Sequence, residues 1–398
     1  MANTLPPSAL IAKDTVAILK NNPGFVSTVN RSYESEFQNN TYDPGQTINI
    51  KRPPRYTVAA GRVATPQDTV ITTIPLTVNQ FHVPMYNTRI EATLLNNSWD
   101  RRIEAAATAL ITEVDRQCAE TAKFSAFNII NAAGAAPTTQ ALAVAAATDV
   151  YARLDEMGAP QMDRFFCLAP KPHGNLVAGM AGMFNDQSTL SAQFRSGKLR
   201  EALGFGFMSS QNVSRHTNGA ATATNINGAN QVGSAITVVA VAGGTLTRGT
   251  IITLPGVNAV NPQTRVDTGS LANFIVTADV AAGATSIPIS PAIVTSGQFQ
   301  NVTASPTTGA AYVIQGAAST SYSANIAYQR DFMTLAMVPM ATPKAGSGAV
   351  AYQHSEDGIT VKVTEYWDGN GDVANIRLDA LFGMVCPYPE LGVRFAVL

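Results

Sequence analysis

The chain has 398 residues and a formal net charge of −1, from 26 basic and 27 acidic side chains. This length allows two or three domains with hydrophobic cores. The near-neutral charge argues against a general nucleic-acid-binding protein, because such proteins usually carry a basic excess or stripe. Charged residues make up 13% of the chain, about half of the ~25% typical of soluble domains. Two classes of protein fit: one that covers its surface with copies of itself, and a secreted β-rich protein.

The start of the chain does not predict a targeting segment. Residues 1–22 lack the basic region and continuous apolar core of a signal peptide. No apolar run is long enough to predict a membrane span. Three cysteines, Cys118, Cys167 and Cys386, are widely separated and odd in number. This pattern favours reduced thiols in a cytoplasmic product over a disulfide framework or a zinc site.

The N-terminal part of the chain predicts a helix, an irregular polar segment and a long arm. Residues 7–20 have apolar side chains near helical spacing, and the turn residues at 21–24 end this short helix. Residues 46–83 alternate between apolar and polar side chains, as two or three strands do, and carry Lys51, Arg52, Arg55 and Arg62. Since an isolated hairpin is unstable, this arm must pack on its own domain or across a neighbour.

Residues 98–130 predict the longest helix of the chain. Ser98 is a candidate N-cap, and apolar side chains follow at helical spacing from Ile103 to Ala122. At 1.5 Å per residue, this helix would be roughly 50 Å long, which suits a spine that ties distant parts together. The start of this helix contains Arg101, Arg102 and Glu104. In an isolated subunit these side chains would form a solvated face, and in an assembly they would be lattice contacts that set register.

The next segments predict alternating helices and strands. A second helix runs from Thr139 to Met157, followed by Gly158 and Pro160, which favour a helix end. A buried strand is expected at 165–168, a third short helix within 170–184, and a further strand within 204–213.

A charge-poor segment then interrupts the chain. Between Thr217 and Gln329 the charged side chains are Arg248, Arg265, Asp267 and Asp279. The segment is rich in strand and turn residues, and six short strand patterns predict a small barrel or sandwich. Charged strand patterns resume after it, so a larger domain is expected to be completed from both sides of an inserted β-module.

No pattern in the sequence predicts an active site. The segment from Asp368 to Asp372 matches the opening of a calcium loop, but Val373 stands where the loop needs glycine, and a hairpin turn explains it. The four histidines, His82, His173, His216 and His354, are isolated, and no nucleophile elbow, paired-histidine zinc motif or dinucleotide-binding motif is present. Neither an enzyme, a cofactor nor a metal site is therefore predicted.

The order of these segments resembles that of a known family. An N-terminal arm, a long β-arm, a spine helix, an Ala-rich helix and a central β-insertion resemble the major coat protein of P22-like tailed phages. The local similarity is greatest at 197–219, 250–262 and 325–340. The resemblance implies an α+β protein with the HK97-type capsid fold and an inserted all-β barrel. The implied domains are an N-arm (1–45), an E-loop (46–85), a P-domain (86–138) with the spine helix (98–130), an A-domain (139–216), an I-domain (217–325) and a return to the A- and P-domains (326–398).

The resemblance also implies a function and partners. The chain would assemble into the icosahedral head of a tailed double-stranded DNA phage through a scaffolded procapsid, on a T=7 lattice. Its partners would be copies of itself, a scaffolding protein, a portal protein and packaged DNA held by weak non-specific contacts, without a membrane. It would be made in the bacterial cytoplasm and reside in the virion. The implied contacts between subunits are Lys51, Arg52, Arg55, Arg62 and Asp68 of the E-loop and Arg101, Arg102 and Glu104 of the spine helix. The alternative is a secreted or surface-displayed β-rich adhesion or binding protein.

Overall fold

The computed structural model describes residues 24–33, 47–58, 62, 66–88, 99–180, 201–344, 348–356, 359–371 and 373–398. The helix predicted at 7–20 lies outside these residues. The chain divides into two compact units. The first comprises Met1–Ile50, Thr73–Cys118 and Met333–Val385, and the second comprises Lys51–Thr72, Ala119–Phe332 and Cys386–Leu398.

The described residues form both helices and strands. The α-helices are α1 (Phe25–Thr28), α2 (Trp99–Ser125), α3 (Gln140–Glu156) and α4 (Pro170–Met180). The strands are β1 (Thr47–Lys51), β2 (Thr73–Thr77), β3 (Asn79–Thr88), β4 (Asn128–Ile130), β5 (Arg164–Leu168), β6 (Glu201–Ala202), β7 (Phe205–Ser209), β8 (Arg215–Thr217), β9 (Gly233–Thr237), β10 (Ile251–Val260), β11 (Asp267–Val276), β12 (Ser286–Ile293), β13 (Val313–Ile314), β14 (Ser321–Gln329), β15 (Thr334–Val338), β16 (Ala349–Glu356), β17 (Ile359–Asp368), β18 (Val373–Val385) and β19 (Gly392–Val397). Short 3₁₀ turns occupy Arg330–Phe332 and Pro389–Leu391.

The first unit is built on an antiparallel sheet of β15, β18, β17 and β16, in that order, with β3 also paired to β18. One face of this sheet is apolar because alternate residues of a strand point to the same side. That face forms a buried cluster with α2: Ala106, Ala107, Val363, Ile376 and Leu378. The N-terminal residues of the described chain also join this unit, since the Phe25 amide donates to the Asp115 carboxylate of α2 at 2.7 Å.

The spine helix ends earlier than predicted. Helix α2 stops at Ser125, and residues 128–130 form β4 instead of a last helical turn. Strand β4 pairs in parallel with Val393–Phe395 of β19, far along the sequence. The branched side chains of Ile129 and Ile130 suit this strand, and the pairing satisfies their backbone groups. The predicted bounds of 98–130 were therefore wrong at the C-terminal end.

The second unit contains a seven-stranded sheet whose main path is β4, β19, β14, β5, β7 and β6, with β8 paired to β14. Its core is aromatic: the Phe166 ring lies 5.7 Å from those of Phe205 and Phe395 and 5.6 Å from that of Phe207, centroid to centroid. Helices α3 and α4 contribute apolar side chains to the same cluster, which includes Val150, Leu154, Leu176 and Met180.

Helix α3 forms where the sequence predicts it. Thr139 is its N-cap, and its hydroxyl accepts a hydrogen bond from the Leu142 amide at 3.4 Å. The helix ends where Gly158 adopts a φ of +72°, a conformation that favours glycine over residues with a side chain. The Gly158 and Ala159 amides then donate to the carbonyls of Asp155 and Leu154, which caps the helix.

The charge-poor segment forms an antiparallel sheet in the order β13, β10, β11, β12, β9. Its core is mostly aliphatic and includes Ile252, Leu254 and Ile287, all fully buried. The aromatic ring of Phe274 is buried in the same core. The predicted closed barrel of six strands is not confirmed, because the strand order has two ends in the described residues. Residues 222–227 lie along both ends and join them through isolated bridges, Asn225 to Ala311 and Ile226 to Val238.

The strands on either side of the insertion are hydrogen-bonded neighbours. Strand β8 leads into the insertion and β14 leads out, and Thr217 lies opposite Ser321 in their antiparallel register. The predicted end at residue 325 lies inside β14, since Asn325 pairs with Phe395 of β19. The inserted segment thus leaves and rejoins one sheet at adjacent points.

Strands β1 and β2 form a small two-stranded sheet. Ile50 and Leu76 from this sheet are buried in a cluster with Ala336. In the same unit, Gly383 of β18 lies so close to the Thr77 carbonyl that a β-carbon at this position would overlap it. Among the described residues, no helix has both the length and the apolar character needed to cross a membrane.

Candidate functional site

The candidate functional site lies within the predicted arm of 46–83: it is the segment that connects β1 and β2, residues 52–72, which is called the arm from here on, together with the segment that holds its root. The two arginines at the root share one carboxylate. Arg55 lies 2.8 Å from Glu390, and Arg52 lies 3.4 Å from the other oxygen of the same carboxylate. Glu390 is in the 3₁₀ turn that precedes β19. Because one anion faces two cations, this ion pair fixes the root and leaves a net positive charge there.

Arg52 makes further contacts with the same C-terminal segment. Its Nε donates to the Pro387 carbonyl, and its guanidinium lies 5.4 Å from the centre of the Tyr388 ring. A planar guanidinium stacks well on an aromatic face, so lysine would not replace this arginine equally. The Arg52 amide also donates to the Thr72 carbonyl at 2.8 Å, which joins the two legs of the arm at the root.

Side chains join the two legs further along the arm. The hydroxyls of Tyr56 and Thr69 lie 2.9 Å apart. The Gln67 amide side chain bonds to both the amide and the carbonyl of Thr57. A side chain of the insertion also reaches the arm, since Arg265 Nη2 donates to the Tyr56 carbonyl at 3.0 Å. Residues 52–58 and 66–72, the described parts of the two legs, form no strand and are joined by side chains, whereas the sequence predicts strands along this segment.

The arm exposes apolar side chains beyond its root. Val58 is fully exposed, Tyr56 is 53% exposed and Ile71 is 54% exposed. Of the charged residues predicted to contact a neighbour, Lys51, Arg62 and Asp68 are exposed. Arg52 and Arg55 instead pair within the chain. Exposed apolar and charged residues on one extended segment are typical of a surface that another protein covers.

The second set of predicted contacts lies at the start of the spine helix. The backbone of Arg101, Arg102 and Glu104 is helical, as part of α2. Their side chains lie outside the residues that the structure describes, so their contacts stay a prediction.

A buried arginine that the sequence analysis missed lies beneath the insertion. Arg394 of β19 is fully buried. Its Nη1 donates to the Gly249 carbonyl at 2.8 Å and lies 3.4 Å from the Tyr322 hydroxyl, and its Nη2 donates to the Lys123 carbonyl. One guanidinium thus joins the last turn of the spine helix, the insertion and the seven-stranded sheet of the second unit. No local signal marks this arginine, because each of its partners is distant in sequence.

His216 lies in the same buried region. Its ring meets that of Tyr322 edge to face, with centroids 5.5 Å apart. Burial, together with the positive charges of Arg394 and Lys123, lowers the pKa of His216 from 6.5 to about 3. His216 is therefore neutral at physiological pH, which suits a structural role.

The other candidate chemistry from the sequence has a structural explanation. Asp368 pairs with Val373 across the β17–β18 ladder, so the segment that resembles a calcium loop is a hairpin turn, although Asp372 lies outside the described residues. The three cysteines are buried and form no disulfide with one another. Burial raises the pKa of Cys386 to about 12, which makes it a poor nucleophile. Within the described ranges, no three His, Cys, Asp or Glu side chains are grouped as metal ligands.

Comparison with protein families decides the identity. The sequence profile of the family described as "P22 coat protein - gene protein 5" matches residues 74–396, which is well over half of the chain. The chain belongs to the P22 coat protein family. It is therefore a major capsid protein of tailed phages, assembles with copies of itself into a capsid lattice, and resides in the virion capsid. No curated protein sequence matches the chain.

A solved structure shares the fold of this coat protein. A structure described as "Mycobacterium phage Che8" aligns over 94% of this chain and 91% of its own, at 14% identity and a TM-score of 0.52. A second, "Capsid structure of the Cyanophage P-SCSP1u", aligns over 90% of this chain and 85% of its own, at 10% identity and a TM-score of 0.47. At such low identity, the likeness to the first structure shows the fold alone, and the coat protein has the HK97-type capsid fold expected from the sequence.

Proposed function

We propose that this coat protein builds the icosahedral head of a double-stranded DNA phage through a scaffolded procapsid, with the arm as its main flexible contact between subunits. The observation that supports a contact role for the arm is that its root is anchored within the chain while its outer part is exposed. Arg52 and Arg55 hold the root on Glu390, while Tyr56, Val58 and Ile71 remain exposed. Burial of these apolar side chains against a neighbour would stabilise the lattice.

The charged residues of the arm have separate roles in this proposal. Lys51, Arg62 and Asp68 are exposed and contact the neighbouring subunit, where they set register more than affinity. Arg101, Arg102 and Glu104 at the start of the spine helix make a second set of lattice contacts. Arg52 and Arg55, which are partly exposed, act through their ion pairs with Glu390 of the same chain, by holding the root of the arm.

The remaining partners in the proposal are those of a phage head. A scaffolding protein guides assembly, a portal protein occupies one vertex, and the near-neutral coat protein touches the packaged DNA only weakly, since a strongly basic shell would bind the genome tightly. The lattice is T=7, the protein is made in the host cytoplasm, and it has no enzymatic role. Family membership makes the alternative, a secreted adhesion protein, unnecessary.

Electron microscopy tests this proposal directly. The full chain is produced with and without the scaffolding protein of its phage, and the products are separated by sedimentation. We expect closed shells tens of nanometres across in the presence of scaffold, and irregular or no shells in its absence. A stable monomer under both conditions would contradict the proposal.

A further inference from the structure

The tip of the β17–β18 hairpin is both acidic and aromatic. Asp368 is exposed at this tip, and the sequence from Glu365 to Asp372 has no basic residue. Trp367 is 47% exposed and Tyr366 is 44% exposed at the end of this ladder. The turn is held by a hydrogen bond from the Asn370 amide to the Asp368 carboxylate, at 3.1 Å. A large aromatic side chain that is half exposed on an ordered ladder is typical of a residue that anchors a protein contact.

A groove of the second unit is lined by basic and apolar side chains, which complement an acidic and aromatic segment. It lies between the arm root, the insertion and the C-terminal segment, and it consists of two adjoining cavities of about 350 and about 520 Å³. The two cavities share the lining residues Pro53, Arg55, Met157, Pro262, Tyr388 and Glu390. The smaller cavity has an apolar wall that includes Phe127, Phe274 and Phe299. Its volume is large enough for an indole ring.

The groove carries an excess of positive charge. Three arginines of its lining, Arg52, Arg55 and Arg265, stand against two carboxylates, Asp331 and Glu390. A fourth lining arginine, Arg153, is buried and paired with Glu156 at 2.8 Å, so it adds no net charge. The Arg265 side chain bonds to two backbone carbonyls, those of Tyr56 and Gln298. Its Nε is buried and has no hydrogen-bond partner within the described chain. A carboxylate from another molecule would supply the missing negative charge.

We propose that the β17–β18 hairpin tip of one coat protein docks in this groove on a second copy, with the Trp367 indole in the apolar cavity and Asp368 facing the arginines. Charge complementarity selects this occupant, because the hairpin is acidic and aromatic where the groove is basic and apolar. A contact between two different surfaces of the same chain is heterologous, and such contacts close into rings when the rotation allows it. The inference rests on the proposed self-assembly and assigns a contact within it.

Tryptophan fluorescence tests the docking in intact particles. The chain has two tryptophans, so Trp99→Phe leaves Trp367 as the sole emitter. Acrylamide quenching is measured on unassembled subunits and on assembled shells. We expect the emission of Trp367 to shift to the blue and its quenching to fall several-fold on assembly. Equal quenching in subunits and shells would overturn the proposal.

A cavity-filling variant tests where Trp367 goes. Ala292 lines the smaller cavity and is half-buried. In the Trp99→Phe background, Ala292→Phe should leave Trp367 accessible to acrylamide and lower the yield of shells about tenfold. The melting temperature of the subunit shows whether the variant is folded. If folded Ala292→Phe shells protect Trp367 as well as the parent does, the indole is buried elsewhere and the proposal fails.

A charge variant keeps the proposal testable if Ala292→Phe does not fold. Asp368→Arg reverses an exposed charge at the hairpin turn, and Asp149→Arg makes the same change on the exposed face of α3. We expect the first to lower shell yield about tenfold and the second to leave it unchanged. Equal yields would overturn the docking. Failure of the parent chain to form shells would instead contradict the proposed function, so the two failures are distinguishable.

Discussion

Arg394 is a buried charge whose partners are two backbone carbonyls and a hydroxyl. Both carbonyls lie at the end of an element, where the regular backbone hydrogen bonds stop. Lys123 is in the last turn of α2, and Gly249 lies just before β10. Such carbonyls need donors, because a buried acceptor without a partner is costly. Arginine can supply several donors from one plane, which lysine cannot.

Removing Arg394 should therefore destabilise the subunit strongly. We expect Arg394→Ala to lower the free energy of unfolding by about 3–5 kcal/mol, since it leaves a cavity and unpaired carbonyls. Urea denaturation of unassembled subunits measures this change. Arg330→Ala, at an exposed position, is the matched control and should change stability by less than about 0.5 kcal/mol. Similar losses for the two variants would show that the Arg394 hydrogen bonds contribute little.

His216 makes subunit stability depend on pH. Its pKa is about 3 in the folded chain and 6.5 without the protein environment, so the unfolded chain binds the proton more readily. The contribution of His216 is fully present above pH 6.5 and is lost as the pH falls toward 3. One histidine can change the free energy of unfolding by at most about 1.4 kcal/mol per pH unit. His216→Gln should reduce the slope of unfolding free energy between pH 4 and 6.5, and an unchanged slope in urea titrations would contradict this origin.

At the scale of elements, close contacts between strands fix the first unit. Gly383 lies in β18 opposite Ala336 of β15, and the Thr77 carbonyl at the end of β2 occupies the space that a side chain would need. Glycine is required here because the Thr77 carbonyl is too close for a β-carbon. The backbone conformation is not the reason, since the φ of Gly383 is outside the left-handed region. Any larger residue must push β2 away from the sheet.

Gly383→Ala should accordingly destabilise the subunit by about 2–3 kcal/mol, because the close backbone cannot shift without disturbing both strands. Gly369→Ala is the control, since a β-carbon there has open space around it and the residue lies in the β17–β18 turn. Its effect should stay within about 0.5 kcal/mol. Thermal melting of the two variants compares them, and equal melting temperatures would show that β2 yields easily.

The sequence predicted elements well where local signals are strong. Helix α3 was expected at 139–157 and occupies Gln140–Glu156, because Thr139 and Gly158 define its ends chemically. Strand β5 was expected from its apolar run and forms at Arg164–Leu168. The end of the spine helix was missed because β4 depends on β19, which is distant in the chain. The open strand order of the insertion, where a closed barrel was predicted, and the Arg394 contacts were missed for the same reason: both depend on partners that no local pattern reveals.

At the scale of the whole molecule, some residues of the arm are expected to affect assembly and others to affect the stability of the subunit. Arg62 is exposed on the arm, whereas Arg55 pairs with Glu390 inside the subunit. The sequence placed both in one set of contacts, since charge and alternation do not distinguish an internal ion pair from an external one. We therefore propose that Arg62 acts in assembly and that Arg55 acts mainly by holding the root of the arm.

Charge reversal at the two positions should therefore give different results. We expect Arg62→Glu to lower shell yield without changing the melting temperature of the subunit. Arg55→Glu places two like charges beside each other at Glu390, so it should lower both shell yield and melting temperature. Sedimentation of assembly reactions and melting of unassembled subunits make the comparison. A lower melting temperature for Arg62→Glu would show that this exposed residue also stabilises the folded subunit, which would contradict the separation of roles.

The pairing of β8 with β14 has a consequence for how this chain can change in length. Because Thr217 and Ser321 face each other across one ladder, the sheet remains continuous whatever occupies the loop between them. Long insertions between neighbouring strands cost little loop-closure entropy. The loop between these two strands can therefore change in length without altering the order of the strands around it. Replacing the whole insertion by a short turn would in addition remove the Gly249 carbonyl that pairs with the buried Arg394.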